Sequence, residues 1–171
     1  GMKIPVDIGA DAFKSALTNG PSYAIISGTN TIIPVKDFDA TTAESMQVWF
    51  GLPDNYNDAV SMTATIEWTA ESGTTGTDKV VWSIAAVVLA DDTARDTAFP
   101  AATNFTADAI NSVATDIHKT ASASFDPGTD DGAGRSVWIK IARVPGDADD
   151  NLAVDARFIS VHLELEISSL S

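Results

Sequence analysis

The sequence contains no cysteine, so neither disulfide bonds nor thiolate metal sites hold this fold together. Histidine is scarce as well, with two residues in 171, and these two show no metal-ligand spacing. Basic residues are few, because ten Lys and Arg stand against 24 Asp and Glu, which gives a net charge of −14. This deficit argues against a nucleic-acid ligand and against attraction to anionic membrane surfaces.

Long apolar runs and catalytic signatures are missing too. No apolar stretch is long enough to cross a bilayer, and residues 2–7 contain no apolar signal region. We therefore expect a chain that folds in the bacterial cytoplasm without a signal peptide and without membrane insertion. The sequence has no Gly-x-Ser-x-Gly elbow, no phosphate-binding glycine loop and no His-Glu-x-x-His pair. The expectation is a protein that is not an enzyme.

What the sequence does contain is alternation of apolar and polar residues with a period of two, which a half-buried strand requires. Residues 61–69 alternate cleanly, and residues 153–168 form a long strand of the same kind. Residues 79–90 are apolar on both faces and predict a central strand. Eight to ten such segments with Gly, Pro and Asp between them predict an all-β protein, a jelly-roll-like antiparallel β-sandwich.

The first part of the chain differs from the rest. Residues 8–18 predict a helix, with Asp11 as its cap and one apolar face. Two short apolar runs, 23–26 and 31–35, then predict a hairpin. We therefore expect an N-terminal arm with a short helix and a hairpin over residues 1–44. The β-sandwich would follow over residues 45–171, with both parts in one continuous globular unit.

Two stretches in the second part of the chain are less regular. Residues 104–117 fit either strand or loop, and the even spacing of Thr, Val and Ile favours a strand. Residues 130–134 combine Asp and Gly and predict a loop.

An acidic turn near the C-terminus offers a candidate metal site. Asp147, Asp149 and Asn151 place oxygen ligands at alternate positions, as a calcium loop does. An EF-hand would continue with Gly and a bidentate acid, where this chain has Leu152 and Phe158. The alternatives are a solvated turn without any cofactor and a looser Ca²⁺ site.

Two arginines flank this turn. If the strand ends are adjacent, Arg143 or Arg157 would pair with Asp147 or Asp155 and hold the loop in shape.

The four tryptophans divide into two pairs by the direction of their side chains. Trp68 and Trp82 share the parity of their apolar neighbours, so we expect both in the core. Trp49 and Trp138 point away from their apolar neighbours and are candidates for a ligand site or an interface. Burial between sheets or subunits is one interpretation of that pair, and stacking against sugar rings is the other.

The second part of the chain contains several characteristic strand and turn features. They are the Leu52-Pro53 turn, Glu67-Trp68, a Gly-rich hairpin, Val80-Val81-Trp82, Ala123-Ser124-Phe125, Trp138 to Ile141, Arg143, the Asp147/Asp149/Asp150 turn and Val161 to Leu165. Together, over residues 45–167, these features resemble the jelly-roll modules of tailed-phage and prophage virion proteins, found in tail fibres, tail tips and head decorations. The resemblance implies a non-enzymatic structural or receptor-facing component located in the virion.

The resemblance also implies partners. These would be the chain itself as a homo-oligomer, with a trimer favoured, together with other virion proteins and a cell-surface glycan. On a three-fold axis, His162 would lie among Glu164 and Glu166 and help to neutralise them at low pH.

Two further functions remain open. A carbohydrate-binding β-sandwich module, with or without calcium, predicts that Trp49, Tyr56 or Trp138 is exposed on a sheet face or in a loop cleft. A glycan-cleaving enzyme requires two carboxylates that project into one groove.

Overall fold

The alternation in the sequence corresponds to fourteen strands in the computed structural model, which describes residues 1–128 and 135–168. The strands are β1 (Met2–Gly9), β2 (Lys14–Ser15), β3 (Ser22–Ser27), β4 (Ile32–Phe38), β5 (Ser45–Gly51), β6 (Met62–Thr69), β7 (Lys79–Val80), β8 (Trp82–Leu89), β9 (Thr103–Asn104), β10 (Asp108–Ala109), β11 (His118–Lys119), β12 (Ala123–Phe125), β13 (Ser136–Arg143) and β14 (Ala156–Ile167). Over the described ranges the only helix is a 3₁₀ helix at Ala10–Ala12, and no helix there is long and apolar enough to span a membrane.

The first sheet is built around β14, the longest strand. One edge of β14 pairs with β6, while the other edge pairs first with β4 and then with β1. β3 extends the sheet beyond β4, and β11 and β12 extend it beyond β6. Every pairing is antiparallel.

The second sheet has the order β2-β5-β13-β8-β9, and its strands are antiparallel as well. β10 and β7 form a separate two-stranded ladder. The two large sheets enclose one hydrophobic core, to which both contribute alternate residues. The predicted all-β, jelly-roll-like antiparallel sandwich is therefore confirmed.

Aromatic side chains dominate the centre of this core. Trp68 and Trp82 have no exposed surface, which confirms the prediction from their parity. Trp82 of the second sheet meets Phe38 and Phe158 of the first edge-to-face, with ring centroids 5.1 and 6.0 Å apart. These contacts tie the two sheets together because edge-to-face aromatic pairs add to the stabilisation from burial.

The helix predicted over residues 8–18 is wrong. This segment contains the end of β1, the 3₁₀ helix and the two-residue β2. Long-range pairing takes up the backbone at both ends of the segment, since β1 pairs with β14 up to Gly9 and β2 pairs with β5, and an isolated short helix is marginal by comparison. Of the apolar residues that suggested a helical face, Phe13 is buried and packs edge-to-face on Phe158, with ring centroids 5.3 Å apart, whereas Ala12, Ala16 and Leu17 are exposed.

The hairpin expected near residue 30 is confirmed as the antiparallel pair β3 and β4. The division at residue 45 stays a prediction; the chain passes there from β4 of the first sheet to β5 of the second sheet, to which β2 also belongs. Strands β1, β3 and β4 belong to the same sheet as β6 and β14.

The strand favoured over residues 104–117 is mostly wrong. Only β10 and the end of β9 are extended there. Buried side chains hold the rest against the sandwich, and its backbone bonds go to other segments, such as Phe105 N to Trp82 O at 2.9 Å and Ile110 N to Asp78 O at 3.0 Å. Apolar residues of this segment, such as Phe105 and Ile110, are therefore buried one by one along a loop. The loop predicted at residues 130–134 lies outside the described residues.

Candidate functional site: an aromatic groove on the second sheet

The outer face of the second sheet carries a stacked pair of tryptophans. Trp49 of β5 lies directly opposite Trp138 of β13 in the strand register. Val137 and Ile139, which flank Trp138 on β13, are fully buried, so Trp138 points away from the core. Trp49, its cross-strand partner, projects from the same outer face. The ring centroids are 5.6 Å apart and the planes differ by 23°. Trp49 keeps 59% of its surface exposed, whereas Trp138 is half-buried.

A groove of about 500 Å³ borders this pair. One wall comes from the chain around β2, and the other comes from β5 and β13. The lining residues are Ala12, Lys14, Ser15, Ala16, Leu17, Gln47, Val48, Trp49 and Trp138. This size and mixture of apolar and polar side chains are typical of ligand sites in proteins.

The groove exists because β2 is short. β2 pairs with β5 over only two residues, and continuing that register would place Ala12 opposite Trp49. Ala12 instead belongs to the 3₁₀ helix, which the buried Ala10 and Phe13 anchor at either side. Within the described part of the chain, the edge of β5 at Trp49 therefore has no strand partner on the β2 side, and the Trp49 ring borders the groove.

The loop after β2 forms the rim of the groove. The amide of Ala16 donates to the carbonyl of Ser45 at 3.0 Å, and the amide of Ser45 donates to the carbonyl of Asn19 at 3.1 Å. Gly20 lies so close to the backbone of Ala16 that a β-carbon there would clash. This tight loop leaves the side chain of Leu17 fully exposed beside the groove.

Two polar side chains in the groove have unused hydrogen-bonding capacity. Lys14 lies opposite Gln47 in the register, and Gln47 is two residues from Trp49, so all three project from the same face. Among the described residues, neither Lys14 nor Gln47 makes a hydrogen bond or an ion pair with another side chain. A ligand in the groove would thus meet an ammonium donor and an amide that both donates and accepts.

A second lysine lies behind the wall that β2 forms. Lys36 is buried, and its Nζ donates to Ser15 Oγ at 2.8 Å and lies 5.8 Å from the centre of the Tyr23 ring. Ser15 Oγ in turn donates to the carbonyl of Pro21 at 2.6 Å. Burial lowers the pKa of Lys36, and the nearby charge of Lys14 lowers it further.

A third lysine continues the row across the sheet. Lys140 of β13 lies opposite Gln47, on the same outer face as Trp138. Its Nζ is 5.1 Å from the ring centre of Phe99, which belongs to the long connection between β8 and β9. This cation–π contact places the ammonium against the ring of Phe99.

The structure places the candidate calcium ligands in hydrogen bonds of their own turn. Asp147 Oδ1 accepts from the amide of Asp149 at 2.9 Å. Asn151 Oδ1 accepts from the amide of Lys79 at 2.7 Å, and its Nδ2 donates to the carbonyl of Thr77 at 3.2 Å. Within residues 1–128 and 135–168, no group of three or more His, Cys, Asp or Glu is arranged to hold a metal. Calcium binding by Asp147, Asp149 and Asn151 stays a prediction.

The pairing expected for Arg143, with Asp147 or Asp155, is wrong. Arg143 pairs instead with Asp150, its Nη2 lying 2.8 Å from Oδ1, and both side chains are almost fully buried. The turn brings Asp150 inward because its amide bonds back to the carbonyl of Asp147 at 3.0 Å, and its Oδ2 also accepts from the amide of Val81 at 3.0 Å.

The pairing expected for Arg157 is wrong for a related reason. Arg157 Nε lies 2.8 Å from Asp37 Oδ1, and Nη1 also contacts Glu71. Asp37 is directly opposite Arg157 across β4 and β14, so the strand register selects the partner. Neither arginine takes part in the aromatic groove.

A second depression, of about 340 Å³, lies on the outer face of the first sheet, and its ionisable groups are engaged with one another. His162 Nδ1 lies 2.6 Å from Asp7 Oδ1, and Ser160 Oγ donates to Glu67 Oε2 at 3.3 Å. Glu67 also pairs with Lys119 at 3.0 Å. Because Ser160 bonds to Glu67 and not to His162, this cluster lacks the nucleophile–base contact of a catalytic serine site.

Sequence reasoning found the two tryptophans but missed the rest of the groove. Lys14 and Leu17 lie in the segment predicted as a helix, so the sequence did not predict that they line a groove beside β5. Gln47 could have been found, since it shares the outward parity of Trp49. Tyr56, a further candidate for an exposed aromatic, has 8% of its surface exposed and is not part of this face.

No protein-family model matches this chain, and no curated protein matches it. Solved structures with a similar fold include a xylan-binding module, CBM15, at 13% identity and a TM-score of 0.47, covering 96% of this chain and 99% of that one. The mannan-recognising module TmCBM27 matches at 8% identity and a TM-score of 0.47, with 97% and 99% covered. The low-affinity xylan-binding module CBM86 from Roseburia intestinalis matches at 15% identity and a TM-score of 0.40, with 95% and 96% covered. Identities this low leave no side chain to transfer, so the chemistry of this chain rests on its own residues.

Proposed function

We propose that this protein is a non-catalytic module that binds a carbohydrate chain in the groove beside Trp49 and Trp138. The observation that carries the proposal is a tryptophan with more than half of its surface exposed, stacked on its cross-strand neighbour at the edge of an open groove. Exposed apolar patches often mark binding sites, and tryptophan is enriched among the residues that contribute most to binding.

The chemistry of a sugar ring matches this arrangement. One face of a pyranose presents C–H groups, which pack against the face of an indole ring, while the hydroxyl groups at the ring edge need hydrogen-bond partners. Gln47 and Lys14 supply those partners from the same face. No covalent chemistry is required, because recognition follows from stacking and hydrogen bonding alone.

The expected affinity is modest. Covering about 100 Å² of apolar indole surface would contribute about 2–3 kcal/mol. Hydrogen bonds to hydroxyl groups add about 1 kcal/mol each, against the loss of hydrogen bonds to water. The cost of immobilising the ligand reduces this sum, so dissociation constants in the micromolar to millimolar range are expected for a short oligosaccharide.

Trp138 assists by supporting Trp49. The stacking contact between the two rings limits the orientations that Trp49 can adopt before the ligand arrives. A side chain that is ordered in advance loses less conformational entropy on binding. Trp138 is therefore expected to affect affinity through the position of Trp49 as well as through direct contact.

A titration of the purified protein with a panel of soluble neutral and acidic polysaccharides, followed by tryptophan fluorescence and calorimetry, tests the proposal. Trp49→Ala is expected to lower affinity at least tenfold without changing the melting temperature appreciably, since the ring is largely exposed. Ile117→Ala is the control, because Ile117 is an exposed apolar residue that does not line the groove. Unchanged binding by Trp49→Ala, or a wild-type protein that binds no member of the panel, would refute the proposal.

Self-assembly in a phage particle, which the resemblance implies, is a second proposal. It is supported by exposed apolar side chains at the β3 edge of the first sheet: Tyr23, Ile25 and Ile32 are each at least half exposed. β3 has no strand partner beyond β4 on its other side within the described part of the chain. An edge of this kind is available for pairing with another chain.

A further inference from the structure

The aromatic groove differs in charge from the rest of the protein. The chain carries a net charge of −14, yet among the described residues no carboxylate lines the groove, and Lys14 is the one ionisable side chain that does. Lys36 lies directly behind its wall, and Lys140 continues the same face. Of the chain's ten basic residues, one thus lines the groove and two lie next to its lining residues.

We propose that the groove selects a glycan that carries carboxylate groups, a uronic-acid polysaccharide, and that Lys14 determines this specificity by contacting a carboxylate directly. The inference rests on the proposed carbohydrate-binding function and names the class of ligand within it.

The state of Lys14 is the first support. Other exposed lysines of this acidic protein have carboxylate partners: Lys3 pairs with Glu164 at 3.6 Å and Lys119 with Glu67 at 3.0 Å. Lys14 has no ion pair among the described residues, although the chain has more than twice as many acids as bases. An unpaired ammonium in a groove is available to form a charge-assisted hydrogen bond with an incoming carboxylate.

The surroundings of Lys36 are the second support. Its ammonium is buried against a hydroxyl and an aromatic ring, with no carboxylate in hydrogen-bond contact among the described residues. Lys14 is close enough to Lys36 for their charges to repel. A carboxylate bound at Lys14 would offset this repulsion, so the fold already contains positive charge that an anion would neutralise.

The position of Lys140 is the third support. Lys14, Gln47 and Lys140 form one row across β2, β5 and β13, so the two ammonium groups are separated by two strand spacings, roughly 10 Å at the backbone. A glycan lying across the strands, with its ring on Trp49, would run parallel to this row, two residues away along the strands, roughly 7 Å at the backbone. A polymer with carboxylates on several sugars can use both contacts, whereas a neutral polymer uses neither as an ion pair.

The overall negative charge does not prevent this selectivity. At physiological ionic strength, charges on other faces of the protein are screened beyond about 8 Å. The cations in the groove contact the ligand directly, so they determine the relative affinity for charged and neutral glycans. The net charge instead slows association and makes it depend on salt.

The experiment compares matched ligands: a glycan panel in which each uronic-acid polysaccharide is paired with its carboxyl-reduced form, which keeps the backbone and loses the charge. Polygalacturonate and glucuronic-acid-substituted xylan are included. Wild type is expected to bind at least one acidic member about tenfold more tightly than its reduced partner, as a hydrogen bond to a charged group allows. This preference is expected to shrink as NaCl rises from about 50 to 500 mM.

The variants separate the role of Lys14 from the role of stacking. Lys14→Ala is expected to remove most of the preference for the acidic member while retaining binding of the reduced form, and Lys14→Arg is expected to keep the preference. Lys3→Ala, which removes an exposed lysine from the other sheet, is the control and is expected to change nothing. Melting curves confirm that each variant is folded.

The outcomes are distinct. Equal or tighter binding of the reduced glycans, or an unchanged preference in Lys14→Ala, would overturn this inference and leave the carbohydrate-binding function standing. Binding of neither form by wild type would overturn the carbohydrate-binding function itself.

Discussion

Arg143 and Asp150 form an ion pair in which each side chain has only 1% of its surface exposed. Arg143 Nε contacts both carboxylate oxygens, and Nη2 bonds to one of them at 2.8 Å. The remaining donors of the guanidinium bind carbonyl groups of Leu152 at 2.6 Å, Val154 at 2.8 Å and Phe38 at 3.3 Å. One side chain of the second sheet thus holds the acidic turn and reaches the end of β4 in the first sheet.

Replacing this arginine is expected to destabilise the protein strongly. Arg143→Met leaves Asp150 buried without its cation, which costs about 3–5 kcal/mol in the free energy of unfolding. Urea denaturation measures the loss. Arg95→Met, at an exposed position in a loop, is the control and is expected to change stability by less than about 0.5 kcal/mol. A loss below about 1 kcal/mol for Arg143→Met would contradict the structural role given to the pair.

The contact between His162 and Asp7 predicts a pH dependence. The hydrogen bond to Asp7 raises the pKa of His162 above its ordinary value of 6.5, and Glu164 adds to the shift. A raised pKa means that the folded state holds the proton more tightly than the unfolded state. This contribution to stability is complete below about pH 6.5 and is lost as the pH rises through the higher folded-state pKa.

The corresponding measurement follows the ring protons of His162 by NMR, together with melting curves between pH 5 and 9. We expect a pKa above 6.5 and a small loss of stability on the alkaline side, small because the pair is exposed to solvent. His162→Gln should flatten that part of the stability profile. Asp7→Asn should return the pKa toward 6.5, and a wild-type pKa at or below 6.5 would argue against the contact.

The acidic turn is expected to respond little to calcium. Asp147 and Asn151 already use side-chain oxygens to bind backbone amides, and a calcium ion would have to replace those bonds. Calcium that binds the folded state would raise the melting temperature as the site fills. Because these oxygens are already used, we expect a shift below about 1 °C with millimolar CaCl₂. A larger rise that disappears in Asp149→Asn would establish the calcium site.

The resemblance to virion proteins predicts self-association. Light scattering at micromolar concentration would then give a mass that is a multiple of the 17.9 kDa chain, three-fold for a trimer. Ile25→Lys, which places a charge on the exposed edge strand β3, should return the mass to that of the monomer. Val113→Lys, at an exposed apolar position in a loop, is the control. A wild-type monomer would count against the virion role and leave the groove unaffected.

Much of the fold could be read from local pattern. The strands β6 and β14 and the hairpin of β3 and β4 lie where alternation or turn residues predicted them. Alternation predicts strands because successive side chains of a strand point to opposite faces, one toward the core and one toward solvent. The helix over residues 8–18 was wrong because long-range backbone pairing outweighs local helix formation: the segment begins in β1, which pairs with β14, and continues into β2, which pairs with β5.

The sequence predicted part of the candidate site. The outward direction of Trp49 and Trp138 followed from their parity. That these rings stack on each other depends on the register between β5 and β13, which no local pattern encodes. The same holds for Lys14, which reaches the groove only because β2 pairs with β5.

The sequence by itself determined that this chain forms two-faced strands and which tryptophans enter the core, because the side-chain period of a strand is a local property. Tertiary structure decided which outward residues become neighbours, since strand order and register bring together residues that are far apart in the chain. The groove beside Trp49, with Lys14 from the start of the chain and Trp138 from near its end, exists only at that level.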